Sequence, residues 1–488
     1  MSAFILTSRL IWAVLISASW GFLFIDRNRK DTDTGNDRYV PVVHPMVLIH
    51  FFVLYFSIEG LIRLFGGSPF HTSPTAPVLG EVILHTSLYF ALLLPLLPLL
   101  RRRCSARACA MLWLMPNVLY LLAYGSTGIP RPLLVVPIHA DLTVFLWLWG
   151  VGAAAVMAWR IVQHLRFRRE LLSDARECGG ETAALWEQEK IRFFEKESDA
   201  RRKIPLLASS HTATPLSIGL NNKSLRVVLP ERSYSTDELH LIFRHELIHI
   251  SRFDAQTKLF LTICTAVMWW NPLMWLAMRR CADDLELGCD EFVLLDEPQE
   301  ERDAYANLLL KTAGDERGFT TCLSATSKAL RYRLENVLRP KKKMLGGLML
   351  ALVSAAMIWT CGDIAIGYAP QTLRDIALDG ETPQEVYAYV FHEIGYDKLD
   401  TAEAEALWAK LSDASVYTLT GRYGPVYRGE TTELHVRSEG EEAELLISGR
   451  FIHVRLYREK PNGIELFLDG EFDCCFAETS VPDGLLLE

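Results

Sequence analysis

Apolar stretches long enough to cross a membrane are the feature that most restricts the fold of this 488-residue chain. A helix needs about 20 apolar residues to span the ~30 Å hydrocarbon core of a bilayer. Such stretches occupy residues 4–25, 46–65, 81–100, 108–124, 141–162 and 344–366. The sequence therefore predicts a multi-span α-helical membrane protein. The stretch 108–124 is short and contains Pro116, so a re-entrant or interfacial helix is the alternative there.

Basic residues between these stretches predict the orientation of the chain. Clusters of Lys and Arg follow the first, third and fifth stretches and precede the sixth, whereas the loops 66–80 and 125–138 contain only Arg131. Short loops rich in Lys and Arg remain in the cytoplasm. Both termini are therefore predicted to lie outside the cell membrane, and the long segment between the fifth and sixth stretches inside. Counting 108–124 as a span keeps all the basic clusters on one side.

A removable signal peptide is a competing interpretation of residues 1–25. Arg9 is the only basic residue of that segment, and it contains no clear small-x-small cleavage site. We therefore expect a retained anchor. The predicted parts of the chain are a membrane bundle of about five spans (1–162), a cytoplasmic segment (163–343), a last transmembrane helix (344–366) and an external domain (367–488).

Charge is divided unequally between these parts. Residues 367–488 contain 24 Asp and Glu against 10 Lys and Arg, and since the whole chain has a net charge of −9, residues 1–366 carry +5. An acidic appendage does not complement the phosphate backbone of a nucleic acid. Direct nucleic acid binding is therefore not expected.

Residues 235–256, STDELHLIFRHELIHISRFDAQ, predict a helix that carries a metal site. Ser235 followed by Glu238 is a capping box that begins the helix. His245 and His249, four residues apart, lie on one face, where both imidazoles can bind one Zn²⁺ ion. Glu246 can reach a metal-bound water without binding the metal and so act as general base. The pattern is typical of zinc metalloendopeptidases of the HExxH type.

A zinc peptidase needs a third protein ligand, which an acidic residue downstream is expected to supply. The candidates are Asp254, Asp283, Asp284, Glu286 and Asp290. Asn271 and Pro272 predict the start of a second helix, on which Glu286 and Asp290 share a face as ligand and outer support. We expect Asp283 and Asp284 to face solvent, and Asp254 to hold an imidazole or pair with Arg252.

The apolar run 258–270 lies between the two predicted site helices. A membrane crossing there would place Glu286 on the opposite side of the bilayer from His245 and His249, and no site could form. A run of about 12 apolar residues is also short for a span. We therefore expect a helix that is buried under the site or lies against the membrane.

Several motifs of this region resemble the antirepressor family of integral-membrane zinc metallopeptidases, the BlaR/MecR type. The motifs are WLWGVG (147–152), TPLSIGL (214–220), VVLPE (227–231), RHELIHISRFDA (244–255), WWNPLMW (269–275) and ELGCDEFVL (286–294). Their order along the chain makes the resemblance, which covers about 140 to 345, much more specific than HExxH alone.

The resemblance implies a role for each residue of the site. His245, His249 and Glu286 would bind Zn²⁺. Glu246 would be the catalytic base, with Asp290 as an outer support. It also implies a gluzincin-like α+β domain in which a small sheet that includes RVVLP packs against the two site helices. The implied substrate is a winged-helix transcriptional repressor in a bacterial cytoplasm.

Residues 367–488 predict a small extracellular α+β domain. Thr382 and Glu385 have the spacing of a capping box that opens a helix over 386–394, and 401–411 predicts a second helix. The alternating segments TELHVRS, AELLISG, FIHVRLYR and GIELFLDG then predict an antiparallel sheet. No SxxK or KTG motif occurs after residue 366, so a β-lactam sensor is not expected. A sensor of another ligand and a structural cap both stay open.

The predicted function is that of a membrane-bound zinc endopeptidase in signal transduction. Its partners would be the lipid bilayer, the cytoplasmic repressor implied by the resemblance, and an unknown external ligand. The alternatives are a non-proteolytic membrane receptor or scaffold with a structural or vestigial metal site, and a membrane quality-control protease. A structural zinc site is normally closed by four protein ligands and would leave Glu246 without a task, which disfavours the receptor.

Overall fold

The computed structural model of the chain describes most of the sequence that follows the second apolar stretch. The described residues are 75–116, 132–138, 143–194, 203–221, 223–295, 297–312, 327–339, 346–360, 363–392, 395–419, 431–459 and 466–477, with isolated positions between 11 and 22. The predicted spans at 4–25 and 46–65 therefore lie largely outside the described residues.

The larger part of the described chain before residue 361 is helical. Its helices are α1 (Thr75–Arg103), α2 (Ala106–Leu112), α3 (Thr143–Leu172), α4 (Gly180–Phe193), α5 (Thr236–Ser251), α6 (Asp254–Val267), α7 (Pro272–Val293), α8 (Gln299–Thr312), α9 (Ser327–Leu338) and α10 (Gly347–Thr360). One helix of the described residues, Val82–Arg103 within α1, is long and apolar enough to cross a membrane. The predicted span 108–124 begins in α2, which ends in a turn at 113–115, and its remainder from residue 117 lies outside the described residues.

A small four-stranded sheet packs against α5. Its strands are β2 (Arg176–Glu177), β3 (Leu206–Ser209), β4 (Leu216–Ile218) and β5 (Arg226–Pro230). The strand order is β2-β3-β5-β4, with β3 and β5 parallel and β4 antiparallel to β5 at one edge. Val227 and Leu229 of β5 are buried in the same core as Leu239 of α5. The region of the peptidase motifs thus contains both helix and sheet.

One hydrophobic core joins the helices around the predicted spans to the helices of the peptidase motifs. Phe90 of α1, Trp113 after α2, Phe243 of α5, Met274 of α7 and Met357 of α10 all belong to it. Each of these side chains is at most 6% exposed. The segment that carries HExxH is therefore packed onto the apolar helices and is not an independent body on a linker.

Helix α7 runs beside α1 and is attached to it at two points. Near the start of α7, the Asn271 side-chain amide donates to Ser87 Oγ at 2.9 Å. Asp284 lies thirteen residues after Asn271 on α7. It accepts from Arg101 Nε of α1 at 2.6 Å through Oδ1 and from the Trp113 indole N–H at 2.9 Å through Oδ2. Asp284 is fully buried, so the prediction that it faces solvent is wrong. The reason is that α1 and α2 cover this side of α7.

Two tryptophan motifs meet where α6 turns into α7. The Trp149 indole of α3 donates to the Val267 carbonyl at 2.6 Å, and the Trp269 indole donates to the Trp149 carbonyl at 3.3 Å. A Cβ atom on Gly152 would lie 2.4 Å from the Trp269 ring. Glycine at this position therefore allows α3 to approach the turn. The apolar run 258–270 forms most of α6, a largely buried helix, as the sequence predicts.

The C-terminal part is built on a nine-stranded sheet. Its strands are β1 (Leu134–Pro137), β6 (Ile364–Thr372), β7 (Glu385–Phe391), β8 (Tyr396–Lys398), β9 (Ser415–Leu419), β10 (Thr431–Ser438), β11 (Glu441–Ser448), β12 (Phe451–Glu459) and β13 (Leu466–Phe476). Their order is β1-β6-β9-β13-β12-β11-β10-β7-β8. Helices α11 (Leu373–Leu378) and α12 (Thr401–Leu411) pack on one face over a core that includes Leu434 and Val454. The predicted helix 401–411 and the alternating strands are present.

Two predicted elements differ from the structure. The helix expected over 386–394 is instead β7, because Val386 and Ala388 are buried in the core while Tyr387 and Tyr389, which alternate with them, are more exposed, which is the period of a strand. The capping box of this region lies earlier, between Thr372 and Asp375 at the start of α11. The apolar stretch 344–366 forms a shorter helix, α10, and its last residues already belong to β6.

A matched pair of substitutions, at Gly152 and at Gly150, tests the contact between Gly152 and Trp269. Gly152→Ala should destabilise the protein by roughly 1–3 kcal/mol relative to Gly150→Ala, because the added methyl group overpacks the turn. A Cβ on Gly150 meets nothing within 4 Å, and both changes gain the same ~1 kcal/mol of helix propensity. Thermal unfolding in detergent measures the difference. Equal melting temperatures would contradict the close approach of α3.

A second pair of substitutions, at Asp284 and at Asp283, tests the ion pair of the buried Asp284 carboxylate. Asp284→Asn removes the charge that compensates the largely buried Arg101 and should cost roughly 3 kcal/mol or more. Asp283→Asn is the control, because Asp283 is partly exposed and its nearest cation, Arg280, lies 3.7 Å away. Exposed pairs of that kind contribute roughly 0–1 kcal/mol. If the two variants unfolded at the same temperature, the ion pair would not anchor α7.

Candidate metal centre

The helix predicted from the capping box positions both histidines. Ser235 Oγ accepts from the Glu238 N–H at 3.1 Å, and the Ser235 N–H donates to Glu238 Oε2 at 2.9 Å, so α5 begins where the sequence predicts. His245 and His249 lie one turn apart on the same face of α5, and their Nε2 atoms are 3.0 Å apart. Two nitrogen ligands are therefore directed at one point.

Helix α7 brings Glu286 to the same point. Glu286 Oε2 lies 3.6 Å from His245 Nε2, and Glu286 Oε1 lies 3.6 Å from His249 Nε2. A tetrahedral Zn²⁺ ion with bonds of ~2.0–2.1 Å would separate its ligand atoms by about 3.3–3.4 Å. Glu286 Oε1 is buried and accepts no hydrogen bond. The two imidazole nitrogens and the Glu286 carboxylate, one oxygen of which has no hydrogen-bond partner, therefore have spacings close to those of ligands around a zinc ion.

Cys289 offers a competing ligand. Donor atoms of His245, His249 and Cys289 lie within 4.8 Å of one another. However, Cys289 Sγ lies 3.3 Å from His245 Nδ1, the ring nitrogen on the other side from the one that faces His249. One imidazole binds one ion through one nitrogen. We therefore favour Glu286 as the third ligand, with Cys289 beside the ligand sphere.

Hydrogen bonds at the Nδ1 atoms determine which nitrogen of each ring is available to a metal. His249 Nδ1 lies 2.6 Å from Asp254 Oδ2, so this carboxylate accepts the Nδ1 proton. Tyr305 donates its hydroxyl proton to Asp290 Oδ1 at 2.7 Å, which leaves the Tyr305 oxygen, 2.8 Å from His245 Nδ1, as an acceptor. The Nε2 atom of each ring is therefore the one directed at the candidate metal position. Such outer partners orient metal-binding histidines.

A buried arginine compensates the carboxylates of α7. Arg333 of α9 donates from Nε and Nη2 to the two oxygens of Asp290, both at 2.7 Å, and its Nη1 lies 3.3 Å from Glu286 Oε2. Arg252 Nε lies 3.4 Å from Asp254 Oδ1, which matches the pairing expected from the sequence. Asp290 thus lies behind Glu286 and is connected to His245 through Tyr305.

The charges of the site shift the pKa values of its members. Burial by itself lowers the pKa of His245, but Cys289 and Glu286 outweigh burial and raise it to about 10. Burial raises the pKa of Glu286, but His249 and Arg333 hold it well below its usual range. Glu286 is therefore an anion placed to bind a cation, and metal binding must displace protons from the imidazoles.

Glu246 follows His245 directly on α5. Its side chain is buried, and its Oε2 atom has no hydrogen-bond partner among the described residues. A buried carboxylate oxygen without a partner is costly unless it has a task. Because Glu246 directly follows the candidate ligand His245, this oxygen is the candidate acceptor for a proton of a metal-bound water.

Sequence reasoning did not identify three members of the site: Tyr305, Arg333 and Cys289. Tyr305 and Arg333 lie on α8 and α9, in helices without a motif, and only folding brings them to the site. Cys289 lies within the motif ELGCDEFVL, between Glu286 and Asp290. Its position between two acidic residues was the available signal.

The two candidate ligand sets make opposite predictions for zinc content. Glu286→Ala should abolish stoichiometric zinc after dialysis against a chelator, because only two imidazoles remain. Cys289→Ser should retain one zinc per chain, with an affinity lowered by roughly 10–100-fold at most, the effect typical of an outer partner. Elemental analysis of the purified full chain measures both. Zinc retained in Glu286→Ala and lost in Cys289→Ser would reverse the assignment.

Comparisons with known proteins show what this region of the chain is similar to. Residues 129–337 match the profile of the BlaR1 peptidase M56 family. The regulatory protein BlaR1 of Bacillus licheniformis is 25% identical over 204 residues, which cover 39% of this chain and 31% of that protein. The methicillin resistance mecR1 protein of Staphylococcus aureus is 26% identical over 127 residues, which cover 25% of this chain and 20% of that protein.

The matched part of the chain thus spans less than a third of the length of these relatives. The region that matches the family profile, 129–337, contains α3 to α8 and most of α9, which carry every residue of the candidate metal centre. Residues 129–337 are therefore similar to the BlaR1 peptidase M56 family, and the chain resembles the BlaR/MecR type of metallopeptidases over this part.

Proposed function

We propose that this protein is a membrane-bound zinc endopeptidase that hydrolyses a peptide bond of a cytoplasmic protein in response to a signal at or outside the membrane. The observation that carries the proposal is the convergence of His245, His249 and Glu286 on one point, next to Glu246 with its unpartnered oxygen. In a protein that only binds a ligand, a buried carboxylate oxygen without a hydrogen-bond partner would be a cost in stability without a function.

Each residue of the site has a defined task in this mechanism. A zinc ion bound by His245, His249 and Glu286 would polarise the peptide carbonyl and lower the pKa of a bound water. Glu246 Oε2 takes a proton from the attacking water and returns it to the leaving amine. Asp254 keeps His249 in the tautomer with a free Nε2.

The edge of the small sheet offers a place for the substrate backbone. Strand β4 is an edge strand, and a crevice lined by Ser217, Gly219, His249 and Phe253 connects it to the metal centre. An extended peptide can pair with an exposed strand edge through its main chain. We propose that the substrate binds there in an extended conformation, with its scissile bond beside His249.

Contacts within the structure support the predicted membrane orientation. His85 Nε2 of α1 lies 3.2 Å from the Thr360 carbonyl at the end of α10. At the other end of α1, a Cβ on Gly346, just before α10, would lie 3.7 Å from Cys104 Cβ. The 19 residues from 85 to 104 measure about 28 Å along a helix, close to the hydrocarbon thickness, whereas the 14 residues of α10 measure about 21 Å and need their flanking residues to cross. We propose that α10 crosses the membrane beside α1.

Strand pairing supports the external position of the C-terminal part. Strand β1 precedes α3 and pairs in parallel with β6, with Leu134 opposite Ile364. Both strands therefore lie at the same end of the helices, and the contact of Arg101 with Asp284 lies at the other end. We propose that residues 367–488 form an external domain that senses a ligand, and that both termini lie outside.

The proposed substrate is the winged-helix repressor implied by the resemblance. Glu246→Gln should retain zinc but cleave that repressor roughly 10²–10⁴-fold more slowly, because the acceptor of the proton is lost. Glu300→Gln, an exposed change in the first turn of α8, is the control. Cleavage of a co-expressed repressor, and of an unfolded reporter protein, is followed by immunoblot.

Unchanged cleavage by Glu246→Gln with bound zinc would remove the mechanism. Cleavage of the unfolded reporter but not of the repressor would replace the signalling role by protein quality control.

A further inference from the structure

The first half of α7 lies at the depth of the apolar part of α1. Ser87 contacts Asn271, and Arg101 contacts Asp284, so 14 residues of α1 run beside 13 residues of α7. This overlap measures about 20 Å along a helix. Val82–Arg103 is the part of α1 that is long and apolar enough to cross a membrane. The helix that carries Glu286 therefore begins far along a proposed span and ends at its cytoplasmic end.

A cavity of about 620 Å³ lies between α1, α7 and α9. Its wall at the depth of the span is apolar and includes Leu94 and Leu97 of α1 and Leu276 of α7. Leu276 is 41% exposed, so this wall is open to the side. At its other end the cavity reaches Glu286. The cavity thus connects the apolar surface of the helices with the neighbourhood of the metal centre.

The cytoplasmic end of the cavity is cationic. Five arginines and three carboxylates line it, an excess of two positive charges. Arg101 pairs with Asp284, and Arg333 pairs with Asp290 and Glu286, so both are compensated. Arg102 is exposed and has no carboxylate within 4.0 Å among the described residues. Arg280 is 45% exposed, with only Asp283 at 3.7 Å. These last two arginines are available to an anion.

We propose that this cavity binds an anionic phospholipid of the cytoplasmic leaflet. The phosphate lies at Arg102 and Arg280, and an acyl chain lies along Leu94, Leu97 and Leu276. An apolar wall at membrane depth with cations at its cytoplasmic end complements a lipid, which is apolar at one end and anionic at the other. A peptide substrate has no need for a wall that faces the hydrocarbon. The lipid would brace α7, and with it Glu286, against α1.

The proposal rests on the membrane orientation given under the proposed function, and its test does not depend on peptidase activity. The full chain is reconstituted in phosphatidylcholine nanodiscs that contain phosphatidylglycerol, and the bound lipid is counted by native mass spectrometry. The wild type should retain one phosphatidylglycerol in preference to phosphatidylcholine. The double variant Arg102→Gln/Arg280→Gln should lower this retention roughly tenfold or more, since each cation near the surface contributes ~1 kcal/mol.

Two further variants make the result specific. Arg166→Gln/Arg169→Gln removes two exposed arginines near the cytoplasmic end of α3, outside the cavity, and should leave retention unchanged. Leu276→Trp fills the apolar wall without a change of charge and should also reduce retention. Equal losses in the two arginine variants, or no preference for phosphatidylglycerol in the wild type, would overturn the proposal. Displacement of the lipid by a substrate peptide would assign the cavity to the substrate and overturn it too.

The same preparations separate this proposal from the proposed function. Zinc content and repressor cleavage are measured on each variant. Retained lipid with absent cleavage contradicts only the peptidase, whereas cleavage without specific lipid contradicts only the lipid site.

Discussion

Helix α7 carries three buried carboxylates, and each is neutralised by a group from another part of the chain. Asp284 pairs with Arg101 of α1, Asp290 pairs with Arg333 of α9, and Glu286 faces the two imidazoles of α5. A buried charge without a partner is strongly destabilising, so these pairs restrict the rotation and position of α7. The metal centre depends on that position, because Glu286 lies between the other two carboxylates on the same helix.

This arrangement places the candidate metal centre next to the end of the apolar helix α1. Asp284 and Glu286 are two residues apart, so a displacement of α1 acts on the candidate third ligand through less than one turn of helix. The shared hydrophobic core gives the same connection through apolar contacts. A movement of α1 would therefore reach the candidate site through a short series of direct contacts. A peptidase on a flexible linker would have none.

The two tryptophan motifs explain a part of the family resemblance that carries no chemistry. WLWGVG and WWNPLMW are separated by more than 100 residues, yet Trp149 and Trp269 exchange indole hydrogen bonds with each other's backbone region, and Gly152 makes room for the ring. This contact fixes the turn between α6 and α7 against α3. These motifs are therefore structural. Their contact fixes where α7 begins along α3, and α7 then runs from that point to the candidate metal centre.

Local signals in the sequence were sufficient for the elements that carry the site. The capping box at Ser235, the Asn-Pro start of α7 and the spacing of His245 and His249 each depend on residues within one or two turns, and the structure contains all of them. The alternating strands after residue 430 were readable for the same reason. The segment after Pro383 was misread because a capping-box spacing occurs by chance, whereas the period of two in Val386–Val390 agrees with the strand that forms.

Tertiary structure alone decided which distant groups meet. Nothing near Arg333, Tyr305 or Arg101 in the sequence indicates that these side chains reach α7, because ion pairs and hydrogen bonds between helices depend on packing and not on spacing. The burial of Asp284 was unpredictable for the same reason: an acidic residue on a helix faces solvent unless another helix covers it and supplies a cation. The sequence thus determined which residues hold the chemistry, and the packing of α1 and α9 on α7 determined how those residues are oriented and compensated.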